Sequence, residues 1–482
     1  MTGSFRVHAT LALATFALAG SVLPAAAQEK PEEEEFFQMY TEAPRIFLRP
    51  QRLRLLRKER ERRSTRWQQF ETFILGKVPM PEPAFAQALY YQISGDKAIG
   101  QLAVRWAAGP GTDIRQLALV YDWCQDLFTA AESKAVAAKL QRAIEKPRRN
   151  ESIPAIRDRT LAAVAVAGSL PELATKQLES LVRQWWRAEM APALLAGGSL
   201  AGKNPVPRDD VYALHEILHV VRDNLQIDLR DPVPGFFKGL PIFHLLSYYP
   251  ATFPAPEGEY RIPLSKGGGE PDVMRAAVSR TAELIMVAYD TNAPETQVLQ
   301  GWLMHDNFIL RSTFGVPYEF LWANPYQPGL SYYHVPLLFH DDLFGRLFIR
   351  SSWDENARWL GYFEGEMQLF EDGRVTILNP ALQSSPLLLT EAVVYTGDHA
   401  KKFEVLHQDS EDVFVVHLKP NYAYEIEMDD EEMREVYTDA GGILALTAPP
   451  KVKVGVRLKE AHPVAVHYVA PPAPGLVPRR PR

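Results

Sequence analysis

The chain of 482 residues carries 52 Lys and Arg against 59 Asp and Glu, which gives a formal net charge of −7. Its 46% hydrophobic and 23% charged residues are typical of a globular protein, and the mild acidity argues against a dedicated nucleic-acid binder. The single cysteine, Cys124, excludes an intramolecular disulfide and any metal cluster held by cysteines alone.

The first 27 residues have the pattern of a secretory signal peptide. Arg6 supplies a positive charge, residues 11–23 are mostly apolar, and Ala25 to Ala27 offer a small-residue cleavage site. We therefore expect a secreted or periplasmic protein, cut near Ala27 and continued by a charged linker over residues 28–44. No later window reaches the ~18 continuous apolar residues of a membrane span, so we expect no integral span.

Residues 45–66 form a basic segment with ten Lys or Arg among spaced leucines. The pattern predicts an amphipathic helix opened by Pro50, with its cations on a solvated face. Contact of these cations with an anionic ligand is the alternative that the sequence leaves open.

Residues 84–310 show repeated helical periodicity, with Gly or Pro between the segments as stop signals. Predicted helices cover residues 84–94, 99–108, 114–128, 131–144, 156–167, 172–190, 211–225, 241–249 and 273–289. Short connections between so many helices predict helical hairpins over residues 45–330, packed as a bundle, a solenoid or a closed toroid.

Beyond residue 330 the chain changes to short segments rich in β-branched and aromatic residues. Predicted strands cover residues 344–351, 359–363, 368–370, 375–378, 413–418, 422–428, 443–447 and 452–458. This spacing predicts an antiparallel β-sandwich over residues 331–470, so the expected fold class is α+β multidomain. Residues 471–482, rich in Pro and Arg, are predicted to be a disordered tail.

The sharpest local motif is H-E-x-x-H at His215, Glu216 and His219, on a predicted helix. Residues four apart share a helix face, so both imidazoles could hold one zinc ion while Glu216 activates its water. Arg222 and Leu225 stand where one family of such proteases has Gly and a third histidine. We expect a histidine pair that is structural or lines a cleft, without a metal or other cofactor, and a zinc-dependent hydrolase is the alternative.

Four stretches resemble the heparinase II/III-like polysaccharide lyases, which combine an α/α toroid with a β-sandwich. They are residues 44–53 (PRIFLRPQRL), 88–96 (ALYYQISGD), 117–123 (LALVYDW) and 348–363, which contain FIRSSW and WLGYF. The resemblance implies a toroid-like helical domain and β-elimination on an acidic polysaccharide held between the two domains. The chain diverges from the family at residues 366–373 (EMQLFEDG), which carry none of the family's sandwich histidines.

The resemblance also implies site residues. β-Elimination beside a uronic carboxylate needs a group that neutralises the carboxylate, a base for the C5 proton and an acid for the leaving oxygen. Tyr212 falls where the family has its catalytic tyrosine, and it is expected as base and acid, with His215 as partner and Arg159 neutralising the carboxylate. Substrate-binding residues are expected at Arg157, His219, His305 and Asn307.

Because the sandwich histidines are missing, a catalytically inactive protein that binds glycan or acts as a scaffold is the alternative to the lyase. The sequence therefore leaves open whether the chain is an enzyme. In both interpretations the partner is an acidic polysaccharide.

Overall fold

The computed structural model describes residues 39–464, apart from 41, 148–150, 196–204, 257, 306–311, 390–391, 397–401, 407–411, 431 and 448–452. The predicted signal peptide, most of the charged linker, the C-terminal tail and Asn307 lie outside the described residues. Among the residues that are described, no helix is long and apolar enough to cross a membrane.

A helical region precedes the sheets, as the sequence predicts. Its α-helices, numbered α1 to α14 in chain order, are Pro50–Glu61, Thr65–Leu75, Pro83–Ser94, Lys97–Ala108, Ile114–Trp123, Ala130–Glu145, Ile153–Val166, Pro171–Ser180, Ala191–Leu195, Val211–Leu225, Pro234–Leu246, Val273–Tyr289, Pro294–His305 and Gly315–Trp322. Between α8 and α9 lies a π-helix, Leu181–Met190, where the sequence predicts one continuous α-helix.

Alternate helices close into a ring. Helix α3 packs on α5, α5 on α7, α7 on α10, α10 on α12, α12 on α14, α14 on α2, and α2 again on α3. Helices α4, α6, α8 and α13 pack against the outside of these ring helices. The ring helices are apolar on nearly all sides because they are enclosed by neighbours, as in α7, where every residue from Arg159 to Val166 is buried.

Side-chain caps fix where several helices begin. The Asp113 carboxylate accepts from the Gln116 backbone N–H at 2.8 Å at the start of α5. Thr129 and Glu132 form a reciprocal capping box at the start of α6. These caps satisfy backbone N–H groups that have no partner inside the helix, so each of these helices begins at a defined residue after a short loop.

One predicted helix is partly wrong. The segment predicted as a helix over residues 241–249 belongs to α11 only as far as Leu246, and Tyr248 and Tyr249 begin a strand. Pro250 explains the difference, since the residue before a proline is disfavoured in the helical conformation.

The strands, numbered β1 to β15 in chain order, are Tyr248–Ala255, Gly258–Pro263, Leu338–Asp341, Arg346–Arg350, Trp359–Phe363, Glu366–Glu371, Arg374–Leu378, Leu387–Leu389, Ala392–Thr396, Lys402–Leu406, Asp412–Val416, Tyr422–Met428, Arg434–Tyr437, Leu444–Thr447 and Lys453–Pro463. β1 and β2 form a hairpin inside the helical region, and the other strands form sheets with the orders β3-β4-β5-β6-β7, β14-β11-β9-β8 and β10-β15-β12-β13.

The three C-terminal sheets stack as layers, with the β14-β11-β9-β8 sheet in the middle. Val393 and Val413 face the core shared with the β10-β15-β12-β13 sheet, whereas Val394 and Phe414 face the core shared with the β3–β7 sheet. Side chains alternate between the two faces of a strand, so a strand covered on both sides is apolar throughout. In this middle sheet β9 and β11 are parallel, and the other pairs are antiparallel.

The helical region and the β3–β7 sheet are in direct contact. The Trp359 indole donates to the Leu246 carbonyl at 2.7 Å, and the Tyr249 hydroxyl donates to Gln368 Oε1 at 2.8 Å. The described residues between 39 and 464 belong to one compact unit. A site built from both regions therefore has a fixed geometry.

Two glycines let a loop lie directly on α13. A Cβ on Gly301 would stand 1.9 Å from the Leu330 carbonyl oxygen, and one on Gly329 would stand 2.4 Å from the Gly301 nitrogen. The Leu330 N–H also donates to the Gln297 carbonyl at 2.9 Å. This contact fixes the segment 324–334 against the helix.

Replacing Gly301 with alanine is expected to lower the free energy of unfolding by about 1–3 kcal/mol, because the methyl group clashes with backbone. The matched control is Gly235→Ala in α11, where no atom lies within 4 Å of the added Cβ. There alanine should raise the free energy by up to about 1 kcal/mol through its helix propensity. Urea unfolding of both variants measures whether the free energy of unfolding falls for Gly301→Ala and rises for Gly235→Ala. Equal changes in the two variants would contradict the close approach of Gly301 to the Leu330 backbone.

Candidate functional site

The hydroxyl of Tyr212 lies inside the helical ring with three partners. It donates to Glu216 Oε1 at 2.7 Å, one turn along α10, and accepts from Arg115 Nη2 and Trp322 Nε1 at 3.2 Å each. Tyr212 is 7% exposed and Glu216 is fully buried. The tyrosine predicted from the sequence is therefore held by groups from α5, α10 and α14.

Two arginines and a second glutamate complete what we call the Tyr212 network, formed by Tyr212, Glu216, Arg115, Arg157 and Glu82. Arg115 Nη2 pairs with Glu216 Oε1 at 2.7 Å, and its Nη1 bonds both oxygens of Glu82 at 3.1 Å. Arg157 Nη1 reaches Glu216 Oε2 at 2.8 Å. These residues stand at or near the N-terminal ends of the ring helices, where the helix dipoles favour the two carboxylates.

Burial and neighbouring charges fix the protonation of this network. Burial raises the pKa of Tyr212 well above its ordinary value, and the nearby Glu216 carboxylate adds to the rise. Burial would also raise the pKa of Glu216, but Arg115 and Arg157 outweigh it and the pKa is lowered. At neutral pH the network therefore holds a neutral phenol beside an ionised carboxylate.

Carboxylates dominate the surroundings of Arg157. Its Nε bonds Asp158 at 2.6 Å. Burial raises the pKa of Asp158, with Arg157 opposing this effect and Asp113 adding to it, and burial followed by Asp209 raises the pKa of Asp210. This end of the ring is therefore acidic, which disfavours an anionic ligand.

The two histidines of the H-E-x-x-H motif bind backbone rather than one another. His215 Nδ1 lies 2.9 Å from the Val211 carbonyl, and His219 Nε2 lies 3.4 Å from the Ile285 carbonyl. Burial lowers the pKa of His215 to about 4 and that of His219 well below its ordinary value, so both are neutral at pH 7. The carboxylate of Glu216 is engaged by two arginines, and the described residues contain no group of three or more metal-ligating side chains.

Arg157 and Arg159, both predicted from the sequence, have different surroundings. Arg157 belongs to the Tyr212 network, whereas Arg159 pairs with Glu151 and donates to the Ile144 carbonyl. Two residues correspond to a rotation of about 200° around a helix, so these arginines point away from each other. Arg159, which is predicted from the sequence to neutralise the substrate carboxylate, therefore does not share partners with Tyr212, the predicted base.

A second group of polar and aromatic side chains lies where the helical region meets the sheets. Arg350, at the end of β4, is 2% exposed, and its Nε donates to the Ser352 carbonyl at 3.1 Å. Its guanidinium lies 4.8 Å above the Trp353 ring, and none of its contacts within the described chain is an ion pair with a carboxylate. Burial and the nearby Arg261 lower its pKa to about 10 and outweigh Tyr332 and Asp354, which act in the opposite direction, so the surroundings as a whole disfavour its charge.

Aromatic rings beside Arg350 reach the surface. The Tyr332 ring meets the Trp353 ring edge-on with centroids 5.3 Å apart, and Tyr333 stacks on Tyr332 at 4.5 Å. Tyr333 is 57% exposed. His305, the exposed last residue of α13, has its ring centroid 5.8 Å from that of Tyr332. The buried Trp353 Nε1 has no hydrogen-bond partner within the described residues. We call Arg350, Trp353, Tyr332, Tyr333 and His305 the Arg350 cluster.

Sequence reasoning identified His305 but missed the rest of the Arg350 cluster, and it missed Arg115 and Glu82 in the Tyr212 network. Arg115 and Arg350 share a signal that could have found them. Arg115 is the one cation of Ile114–Trp123, and Arg350 directly follows the apolar residues Leu347 to Ile349 of β4. A charge in such a segment is buried when the segment packs, so it requires a partner.

Comparison with known proteins identifies no family. No protein-family model matches the sequence, and no curated protein matches it. A solved structure described as a glycoside hydrolase is similar over 78% of this chain and 71% of its own, with 10% sequence identity and a TM-score of 0.31. Similarity at this level defines neither the family nor the activity, so the function has to be inferred from the residues themselves.

Proposed function

We propose that this protein is an exported binding protein for an acidic polysaccharide and that the Arg350 cluster contacts the sugar carboxylate. The supporting observation is the buried Arg350 guanidinium, which has no carboxylate partner among the described residues and lies in one cluster with the exposed Tyr333. A uronate carboxylate would form the ion pair that the described residues do not provide, through a bidentate contact, and the sugar ring would pack on the tyrosine face. We include export in the proposal only because the N-terminal sequence has the pattern of a signal peptide.

Of the two glycan interpretations, lyase and inactive binding protein, we favour the binding protein, in which Tyr212 does not act in catalysis. A base has to be deprotonated to accept the C5 proton, whereas the Tyr212 hydroxyl donates to Glu216 and its pKa is raised. The carboxylates around Arg157 also oppose an acidic substrate at that place. The resemblance to heparinase II/III-like lyases agrees with an acidic glycan as partner, and binding requires no cofactor.

Tyr333→Ala is expected to weaken binding of a uronic acid trisaccharide by about tenfold, because the ligand loses an aromatic face. Binding of galacturonate, mannuronate and glucuronate trisaccharides to the full mature chain is measured by titration calorimetry. Tyr437→Ala on β13 is the matched control, since Tyr437 is also 57% exposed but belongs to the β10-β15-β12-β13 sheet.

A neutral trisaccharide of glucose gives the second comparison and should bind more weakly than the uronates. Equal loss in the Tyr333 and Tyr437 variants, or no uronate binding at all, would overturn the proposal. The same samples are followed by ultraviolet absorbance. An absorbing unsaturated product would replace the binding function with a lyase activity.

A further inference from the structure

The exposed face of α1 carries a concentration of positive charge that the fold does not use. Residues 49–66 contain nine Lys or Arg against two Glu, in a chain whose formal net charge is −7. Residues 54, 58 and 62 recur at the four-residue spacing of one helix face, and Arg54, Lys58 and Arg62 are all exposed.

The inward-facing arginines of the same segment have structural partners. Arg49 lies 3.4 Å above the Tyr40 ring, Arg52 donates to the Leu321 carbonyl at 3.0 Å, and Arg66 pairs with Glu59 at 2.9 Å. Packing therefore accounts for these three cations.

Two further cations of α1 satisfy the carboxyl end of α3. Arg57 Nη2 donates to the Gln92 carbonyl at 3.2 Å, and Arg60 Nη1 donates to the Ile93 carbonyl at 3.3 Å. Helix ends leave such carbonyls without intrahelical partners, so these contacts are caps. By contrast, no contact in the described part of the chain pairs the side chains of Arg54 or Lys58 with a carboxylate.

The remaining basic stripe is connected to the aromatic surface of the Arg350 cluster. The Arg62 guanidinium lies 5.2 Å from the centroid of the Tyr326 ring, and Tyr326 is 54% exposed. Tyr326 and Tyr333 both belong to the segment 324–334. Gly301 and Gly329 let this segment lie directly against α13. The two tyrosines are seven positions apart in the sequence, which corresponds to a distance of at most about 25 Å.

The surface beside α1 is grooved rather than flat, and one of its depressions is lined by Arg54 and Lys58 of the stripe. Two depressions of about 370 Å³ flank α1, and both are lined by Arg57 and Glu61. Leu330, three positions before Tyr333, is 47% exposed, and Met304, next to His305, is 41% exposed. An acidic polysaccharide carries a carboxylate on every sugar unit and presents apolar ring faces between the carboxylates. The cations of α1 suit the carboxylates, and the aromatic and apolar side chains suit the ring faces.

We propose that the stripe Arg54, Lys58 and Arg62 is a second contact site for the same acidic polysaccharide, so that the protein binds long chains in preference to short ones. The inference rests on the proposed function, because the first contact is the Arg350 cluster. A chain held at the Arg350 cluster presents its remaining carboxylates to α1 at a high effective concentration. The contacts are exposed and electrostatic, so salt should weaken them.

The test compares a uronate trisaccharide with the long polymer of the same uronate, using the full mature chain and Arg54→Gln/Lys58→Gln/Arg62→Gln. Polymer affinity should fall by about tenfold and its salt dependence should become shallower, while trisaccharide affinity stays unchanged. The matched control removes three exposed lysines from other helices, Lys134→Gln/Lys176→Gln/Lys238→Gln, and should leave both affinities unchanged.

The outcomes separate the two proposals. If the trisaccharide binds all three proteins and the polymer gains nothing over it, the α1 site is overturned and the proposed function stands. Equal losses of polymer affinity in the two triple variants also overturn the α1 site, because the effect is then one of net charge. If the polymer binds through α1 while the trisaccharide does not bind at all, the Arg350 cluster loses its proposed role.

Discussion

Replacing Arg115 with methionine is expected to lower the free energy of unfolding by about 3–5 kcal/mol. The guanidinium is 1% exposed and joins Glu216, Glu82 and Tyr212. Its removal leaves the fully buried Glu216 with one arginine, Arg157, in place of two. Uncompensated buried charge is costly because no water replaces the lost partner.

Guanidinium chloride unfolding at pH 7 measures this loss, with Arg105→Met as the control. Arg105 is exposed on α4, so its replacement should change the free energy of unfolding by less than about 0.5 kcal/mol. The double variant Arg115→Met/Glu216→Leu should lose less than the sum of the single variants, because it removes both the charge and its main partner. A loss below about 1 kcal/mol for Arg115→Met would contradict the inference that the buried Glu216 carboxylate needs both arginines.

The order of helices and sheets could be predicted because apolar periodicity reports directly on burial. The predicted helices 211–225 and 273–289 coincide with α10 and α12. The β1–β2 hairpin was missed because Tyr248 and Tyr249 continue the apolar pattern of α11, and only Pro250 indicates that the helix has ended.

The composition of the Tyr212 network could be predicted only in part. Tyr212 and Glu216 are four residues apart on one helix, so local spacing relates them. Arg115 lies 97 residues from Tyr212 in the sequence, and only the closure of the ring brings them together. Choosing between Arg157 and Arg159 required the rotational phase of α7, which is buried on nearly all sides and so lacks a polar face that would define the phase.

Arg350→Met is expected to have the opposite pattern to Arg115→Met. Binding of the uronate trisaccharide should fall by tenfold or more, since a hydrogen-bonded charge contact is worth about 1.5–3 kcal/mol. The free energy of unfolding should change by less than about 1 kcal/mol. The two carbonyl contacts at Ser352 and Asp354 are lost, but so is a buried charge whose pKa is lowered to about 10.

Calorimetry and chemical unfolding of the same preparations provide the measurement, and Arg350→Lys refines it. Lysine keeps the charge but lacks the planar fork that binds a carboxylate bidentately, so its affinity should lie between those of the wild type and Arg350→Met. If Arg350→Met loses several kcal/mol of stability, the guanidinium serves packing and the proposed carboxylate contact fails. If stability is kept and affinity is lost, Arg350 is a charge that the fold tolerates for the sake of a ligand, because its carbonyl and ring contacts are then not what keeps the guanidinium buried.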